Sequence, residues 1–285
     1  MISCIICSRK LDIPAELKEN IVSTIGCEYE LIVIDNSKNE YSIFTAYNEG
    51  ARRAKGEIFC FMHEDVLFHT KNWGYIVQSH LCNEKIGLLG VIGGHYLPDF
   101  PASWISVFLI SGQNIQGYFE NDLYQKEYYE FWNRKNGNST EVVAVDGMWF
   151  CVRKEMFNLI KFDTHMFSNY HCYDLDICMQ VVNMGFQVHV AHDILIEHKS
   201  CGCMDTRYFK ELDKFYKKWK DNLPICRCHD LSQVDINERV ILSKMYMNEK
   251  RNCVQLKEEL LRIKSSVIYR LVHKVFVFSK RLFAR

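Results

Sequence analysis

Short apolar runs alternate with helix-like segments along the first 110 residues. The apolar runs cover residues 2–7, 31–34, 58–62 and 86–92. Two segments between them, 14–25 and 43–55, have helical character, and Pro14 suits a first helical turn. Strand–helix–strand alternation of this kind is typical of a parallel sheet that is covered by helices on both faces. The pattern therefore predicts an α/β fold.

Three of these apolar runs end in polar side chains. The endings are Ser8-Arg9, Asp35-Asn36-Ser37 and His63-Glu64-Asp65. In open parallel sheets, ligands bind beyond the carboxyl ends of the strands. We expect the three endings to lie side by side and to form the centre of a binding site.

The second half of the chain is less regular. Residues 95–140 are rich in aromatic side chains and fit either a substrate-side lobe or flexible loops. The predicted elements after this region are a strand over 141–145 that leads into Asp146, a helix over 173–184, a strand over 194–197 that leads into His198, and a helix over 209–219.

The last 50 residues differ in composition from the rest. From Val234 onward there is no proline or glycine, and no acidic residue follows Glu259. Lysine and arginine alternate there with apolar residues at helical spacing, which is typical of a basic amphipathic helix on a membrane surface. A docking or homo-oligomerisation helix explains the same pattern. We therefore divide the chain into an α/β domain over 1–225 and a helical extension over 226–285.

Charge and cysteine usage narrow the class of protein. The 285 residues carry 35 basic and 35 acidic side chains, so the balance indicates no nucleic-acid partner. The N-terminal apolar run spans only about five residues, too few for a signal peptide, and no segment has the roughly 18 apolar residues of a membrane span. The 13 cysteines then indicate free thiols in a reducing cytoplasm.

A cysteine cluster offers one rival reading. Cys201, Cys203, Cys226 and Cys228 are soft metal ligands separated by one predicted helix. Structural zinc sites usually have two to four residues between paired cysteines, whereas each pair here is separated by a single residue. The spacing therefore argues against zinc without excluding it.

Seven motifs in order resemble the family-2-like glycosyltransferases of the GT-A fold, in particular the bacterial branch that builds surface polysaccharides. The resemblance covers residues 1–225. The motifs are the opening strand that ends at Ser8, the segment 30–37 with Asp35, Asn48-Glu49-Gly50 with the turn at Gly56, His63-Glu64-Asp65 in the place of the DxD motif, Asp174-Leu175-Asp176-Ile177-Cys178, the late His198, and Lys218-Trp219 with Leu223-Pro224.

The resemblance implies both a fold and an activity. The fold would be α/β, a GT-A (Rossmann-like) domain with a mostly parallel central sheet and helices on both faces, followed by the helical extension. The activity would be metal-dependent transfer of a sugar from a nucleotide-sugar donor, a UDP-sugar, to a hydroxyl of a glycan or lipid-linked acceptor. Transfer would be inverting, and it would serve surface polysaccharide synthesis at the cytoplasmic face of the inner membrane, where the enzyme would be peripherally bound.

The acidic turn carries the metal prediction. Bond cleavage leaves charge on a diphosphate, and Mn²⁺ or Mg²⁺ held by carboxylates would neutralise that charge. Asp65 matches the second Asp of DxD and is the predicted ligand, while His63 departs from the first Asp. His198 is predicted to complete the shell. The alternatives are an acidic loop without metal and a structural histidine.

The remaining family positions are predicted to bind the donor. They are Ser8, Asp35, Asn48, Glu64 and Asp146. Asp35 would accept hydrogen bonds from the base or ribose, although an Asx turn with Asn36 and Ser37 also explains it. Trp149 would either stack on a sugar or belong to the core.

Asp174 is the predicted general base, because inverting transfer needs a carboxylate to take the proton of the acceptor hydroxyl. Tyr173 stands where the family has Glu, and Asp176 is expected to point elsewhere from the same helix start. Two rivals remain open. A nucleotidyltransferase would need a glycine-rich phosphate loop, which the segment after Cys7 lacks. A catalytically degenerate nucleotide-binding scaffold is made credible by His63.

Overall fold

The computed structural model describes residues 1–131 and 137–266. Its helices are α1 (Ala15–Thr24), α2 (Ile43–Arg53), α3 (Trp73–Leu81), α4 (Lys154–Leu159), α5 (Tyr173–Asn183), α6 (Thr206–Trp219), a 3₁₀ turn (Lys220–Asn222) and α7 (Gln233–Ser265).

The strands are β1 (Ile2–Ser8), β2 (Tyr29–Asp35), β3 (Ile58–Met62), β4 (Val66–Phe68), β5 (Ile86–Gly90), β6 (Ile92–Gly94), β7 (Tyr96–Leu97), β8 (Ile110–Glu120), β9 (Leu123–Phe131), β10 (Ser139–Val142), β11 (Ala144–Val145), β12 (Trp149–Arg153), β13 (Gln187–Ala191), β14 (Ile196–His198) and β15 (Ile225–Cys226).

A seven-stranded sheet with the order β10-β13-β5-β12-β3-β1-β2 forms the centre of the molecule. The neighbours β3, β1 and β2 are parallel, as the alternating pattern predicts. However, β12 lies antiparallel between β3 and β5, and β10 lies antiparallel beside β13. The sheet is therefore mixed, and the prediction of a mostly parallel sheet was wrong. The error arises because a single-strand pattern does not show which neighbour a strand takes from a distant part of the chain.

Burial explains why these runs became strands. β3 is buried at all five positions, and β1 is buried at six of its seven. Continuous apolar strands of this kind are typical of a sheet covered on both faces. The parallel register pairs Ser8 with Asp35, so the polar endings of β1 and β2 do meet at one edge of the sheet.

A second sheet has the strand order β11-β6-β8-β14-β4, with β9 paired to β8. β8 and β9 form a long antiparallel hairpin. Its turn is Asn121-Asp122, and both residues have positive φ, 50° and 64°, as a tight two-residue hairpin turn requires. The part of the aromatic region from residue 110 to residue 131 therefore forms a regular hairpin rather than a flexible loop, and its place on the substrate side stays a prediction.

Two buried polar contacts join α5 to α6. Asp176, at 1% exposure, accepts hydrogen bonds from Trp219 Nε1 at 2.9 Å and Lys218 Nζ at 3.0 Å. Lys218 also bonds to Asp163 at 2.8 Å. The Lys-Trp pair thus fixes α6 against the start of α5, where Asp174 lies.

The last described helix, α7, follows the domain and is largely exposed. It packs on the body through Ile236, Ser243 and Met247. Within the described residues, no helix combines the length and apolar character needed to cross a bilayer. The predicted basic amphipathic segment lies mainly in residues 267–285, outside the described residues, so the boundary at residue 225 stays a prediction.

Candidate functional site

A cavity of about 890 Å³ opens where the two sheets meet. Three of the eight predicted site residues line it, namely Asp146, Asp174 and His198. His63 of the acidic turn and Arg9, next to Ser8, line it as well. The carboxyl edge of the parallel strands therefore faces this cavity, as the strand endings predict.

Three ligand atoms converge on one side of this cavity. His63 Nδ1 lies 3.3 Å from His198 Nε2, His198 Nε2 lies 3.5 Å from Asp65 Oδ1, and His63 Nδ1 lies 3.9 Å from Asp65 Oδ1. They form the only such group of histidine, cysteine and carboxylate ligands found within residues 1–131 and 137–266.

The pairing of two short strands brings these ligands together. β14 runs antiparallel to β4 with His198 opposite Val66, next to Asp65. The Lys199 amide donates to Asp65 O at 3.0 Å, and Ser200 Oγ donates to Asp65 Oδ2 at 2.5 Å. The backbone and side chain of Asp65 are thus both held by the segment that follows His198.

Tyr173 determines which nitrogen of His63 faces the group. The Tyr173 hydroxyl donates to Gly147 O at 3.0 Å, so its oxygen accepts from His63 Nε2, 2.6 Å away. This assignment from the hydrogen-bond network places the proton of His63 on Nε2. The lone pair of Nδ1 then points toward Asp65 and His198, as a metal ligand requires.

The charges of the three groups agree with this assignment. Burial, followed by the charge of His198, lowers the pKa of His63 to about 4, so the imidazole is neutral near pH 7. Although burial opposes it, the hydrogen bond with Asp65 raises the pKa of His198. Burial likewise opposes, but the contacts with His198 and Ser200 lower, the pKa of Asp65, which stays a carboxylate.

This donor set fits a divalent cation. Two ligands at right angles, each about 2.1 Å from an ion, lie about 3 Å apart, and the three edges here are between 3.3 and 3.9 Å. Two imidazoles with one carboxylate suit Mn²⁺ better than Mg²⁺, which prefers oxygen ligands. His63 is therefore a candidate ligand, which sequence reasoning had treated only as a departure from the motif.

Asp174 lies in the first turn of α5 and lines the same cavity. Its Oδ1 accepts the Leu175 amide at 2.9 Å. Burial and the neighbouring charge of Asp146 raise its pKa to about 7. A carboxylate with a pKa near neutrality can both take and release a proton at working pH, which is the property of a general base.

Glu64 holds the acidic turn against the end of β1. Its carboxylate accepts from Ser8 Oγ at 2.6 Å and from Arg9 Nε at 2.7 Å. The strand endings of β1 and β3 thus meet directly. Asp35, exposed at the end of β2, accepts the Ser37 amide at 2.9 Å, which is the Asx-turn geometry.

Two other predicted donor residues are placed differently. Asp146 lines the cavity, and its Oδ1 accepts the Met148 amide at 2.8 Å. Asn48 instead bonds the backbone of Phe162 at both ends of its amide, at 2.8 and 3.2 Å, and it does not line the cavity. The structure does not bring Asn48 to the other site residues.

The structure also decides the alternatives for Trp149 and for the cysteine cluster. Trp149 is 0% exposed and stacks edge-on against Trp73, so it belongs to the core and cannot face a sugar. Cys201 and Cys203 are exposed and do not join Cys226 and Cys228 in any metal-ligating group of the described residues. The proposed zinc cluster is therefore not assembled.

Sequence reasoning missed the residues of the hairpin. Asn114, Gln116 and Tyr129 line the cavity from β8 and β9. Alternating side chains around Asn121-Asp122 were the available signal, since a two-residue Asn-Asp turn between strand-like runs predicts a hairpin. Arg9 at the rim and Ser200 on Asp65 were also missed, and no local pattern distinguishes them from ordinary surface residues.

Comparison with solved structures supports the fold. The chain is similar to the crystal structure of GalNAc-T7 with UDP, GalNAc and Mn²⁺, with a TM-score of 0.50 and 13% identity, covering 77% of this chain and 49% of that one. The match therefore spans about half of that protein and shows a shared GT-A fold. A second structure, A197 from STIV, aligns at 12% identity over 81% of this chain and 96% of that chain, with a TM-score of 0.37. That score carries no argument about fold.

Comparison at the level of families is more specific than the structural likeness. No curated protein sequence matches the chain. The model of the Glycosyltransferase like family, however, matches residues 1–222, which include both sheets, the three-ligand group and Asp174. The resemblance noted from the sequence is thereby confirmed, and the chain belongs to this family of glycosyl-transfer enzymes.

Proposed function

We propose that this enzyme transfers a sugar from a UDP-sugar to a hydroxyl of a glycan or lipid-linked acceptor, with a divalent cation as cofactor. One observation carries the proposal: the group of His63, Asp65 and His198 shares a cavity with Asp174, a carboxylate whose pKa lies near 7. A cation site and a general base that face one space are the two parts that such a transfer needs.

His63 Nδ1, Asp65 Oδ1 and His198 Nε2 would hold the cation. When bound, it would supply Lewis-acid stabilisation of the charge that develops on the diphosphate leaving group. Of the two predicted cations, Mn²⁺ and Mg²⁺, Mn²⁺ is the one that this nitrogen-rich donor set favours. The Tyr173 hydroxyl keeps His63 in the required tautomer, and Ser200 orients Asp65.

The nucleotide would lie along the ends of β1 and β2. Asp35 and Ser8 stand side by side there, and Glu64 joins Ser8 to the acidic turn. Arg9 is exposed at the cavity rim, where its positive charge suits a diphosphate. Asp146 and, by family resemblance only, Asn48 complete the proposed donor contacts.

Asp174 would take the proton of the acceptor hydroxyl as its oxygen attacks the anomeric carbon. One carboxylate acting directly on the acceptor corresponds to inversion at that carbon. The proton moves from the acceptor oxygen to an Asp174 carboxylate oxygen, and the sugar bond to the diphosphate breaks. Surface polysaccharide synthesis at the cytoplasmic membrane face, with the C-terminal segment on the lipid, is the proposed setting.

Calorimetric titration with UDP, with and without Mn²⁺, tests the donor assignment. We expect binding that strengthens at least tenfold with Mn²⁺ and loses that increment in Asp65→Ala, whereas the exposed Asp221→Ala control keeps it. Failure of the wild type to bind UDP under either condition would contradict the proposal. If UDP binds but no UDP-sugar in a donor panel yields acceptor-dependent UDP release, the degenerate scaffold becomes the better reading.

A further inference from the structure

The β8–β9 hairpin presents two faces of different character. The register pairs Asn114 with Tyr129, Gln116 with Glu127, and Tyr118 with Gln125. Paired residues of an antiparallel ladder, and residues two apart along a strand, share a face. We call this set the cavity face; its members are Asn114, Gln116, Tyr118, Gln125, Glu127 and Tyr129.

The opposite face anchors the hairpin to the body. Tyr124 OH and Lys126 Nζ bond to the buried carboxylate of Glu197 at 2.6 and 2.8 Å. His69 Nε2 lies 2.9 Å from the same group. Because Glu197 directly precedes His198, these contacts fix the hairpin relative to the three-ligand group.

The cavity face begins inside the cavity and continues into solvent. Asn114, at 4% exposure, lines the cavity together with Gln116 and Tyr129. Asn114 Nδ2 donates to Gln116 Oε1 at 3.2 Å. The side-chain oxygen of Asn114, Oδ1, accepts no hydrogen bond from any described residue. From Tyr129 to Gln125 the strand extends about 14 Å along the exposed hairpin, which exceeds the length of a single sugar ring.

The side chains of the cavity face match the chemistry of carbohydrate. The face combines tyrosine rings with amides and a carboxylate, and it carries no aliphatic side chain between Asn114 and Gln125 across the ladder. A sugar ring needs a flat apolar surface for its C–H faces and hydrogen-bonding groups for its hydroxyls. A lipid chain or an apolar protein segment would need an apolar surface, and the exposed apolar side chains Phe119 and Leu123 lie at the tip of the hairpin instead.

We propose that the acceptor is an oligosaccharide of at least two sugar residues that binds along the cavity face. Its terminal sugar lies beside Asn114 within reach of Asp174, and the preceding sugar residues contact Tyr129 and the row that leads to Tyr118. This assignment rests on the proposed function, since it names the acceptor of the same reaction. The hairpin residues act in acceptor recognition and not in the chemical step.

A matched pair of neighbouring tyrosines tests the assignment. Tyr129 is on the cavity face and is 37% exposed, whereas Tyr128 is 52% exposed on the other face. The probe is a library of mono- to tetrasaccharides with glucose, galactose or their N-acetylated forms at the non-reducing end, used with the UDP-sugar that the donor panel selects. We expect the wild type to prefer di- to tetrasaccharides, and Tyr129→Ala to raise the acceptor KM about five- to tenfold.

Donor-only readouts separate this proposal from the previous one. Tyr129→Ala and Tyr128→Ala should both keep wild-type UDP affinity and the slow hydrolysis of donor without acceptor, and Tyr128→Ala should keep the wild-type acceptor KM. Loss of UDP binding by the wild type would defeat the proposed function itself. Equal KM changes in the two variants, equal use of monosaccharides and tetrasaccharides, or no use of any library member by a donor-active wild type would overturn the acceptor assignment alone.

Discussion

The two walls of the cavity use their polar groups in different ways. On the inner wall, formed by the strand ends and the start of α5, side chains hold one another: Glu64 binds Ser8, and Tyr173 binds His63. On the hairpin wall, the base of the hairpin is tied to the same frame, because Gln116 Nε2 donates to the carbonyl oxygens of His198 and Ser200. Farther along the cavity face, Gln125, Glu127 and Tyr129 are exposed. The inner wall is therefore built for fixed geometry, and these exposed positions of the hairpin can change without disturbing that geometry.

The contrast predicts where mutation affects chemistry and where it affects recognition. Inner-wall substitutions should change turnover, stability or pH dependence. Substitutions at the exposed positions of the cavity face should change only the acceptor KM. Three experiments on the inner wall, together with the tyrosine pair above, test whether chemistry and acceptor recognition are separated in this way.

The largest effect is expected at Asp174. Asp174→Asn keeps the size of the side chain and its contact with Leu175 but cannot take a proton. Turnover should fall by about 10²- to 10⁴-fold, while UDP affinity stays at the wild-type value, as measured by UDP release and by calorimetry. Turnover within threefold of wild type would remove Asp174 from the role of base and leave the inner wall without one.

The next effect is structural and concerns Asp176. Asp176→Ala leaves Trp219 Nε1 without its acceptor and removes one of two carboxylates from Lys218. Breaking a buried pair of this kind should lower the free energy of unfolding by about 3 kcal/mol, measured by urea denaturation. Lys217→Ala, an exposed neighbour on α6, is the control and should change it by less than about 0.5 kcal/mol. Similar losses in both variants would mean that the contact between α5 and α6 is not what stabilises the inner wall.

The smallest effect is a pH dependence. The pKa of Asp174 is raised to about 7 by burial and by Asp146, and only its ionised form can act as base. Log kcat should therefore rise with a slope of about 1 below pH 7 and level off above it. Tyr129→Ala should show the same midpoint, because no hairpin residue shifts the pKa of Asp174. A flat profile between pH 5.5 and 8 in the wild type would contradict the assignment.

The parts of the site that could be predicted were those that depend on local sequence patterns. The buried run 58–62 and its polar ending marked β3 and the acidic turn, because a continuous apolar strand and its solvated end are local signals. The antiparallel insertion of β12 beside β3 could not be predicted, since pairing depends on chain segments nearly 90 residues apart. The same is true of His198, whose place next to Asp65 follows from the pairing of β14 with β4.

The family resemblance predicted roles but not the local substitutions. It placed Asp65 and His198 at a metal site, and the structure groups them as candidate ligands. It treated His63 and Tyr173 as two separate departures from the pattern. Only the structure shows that these two side chains are in contact, because they lie 110 residues apart and no sequence pattern links them.

Gly147 extends that contact into a constraint on how the sequence can evolve. A Cβ atom at position 147 would collide with the ring of Tyr173, so the tyrosine can reach the Gly147 carbonyl only while this position stays bare. Histidine at 63, glycine at 147 and tyrosine at 173 therefore depend on one another structurally. We expect homologues with histidine at position 63 to retain all three, whereas those with aspartate at that position are free to vary the other two.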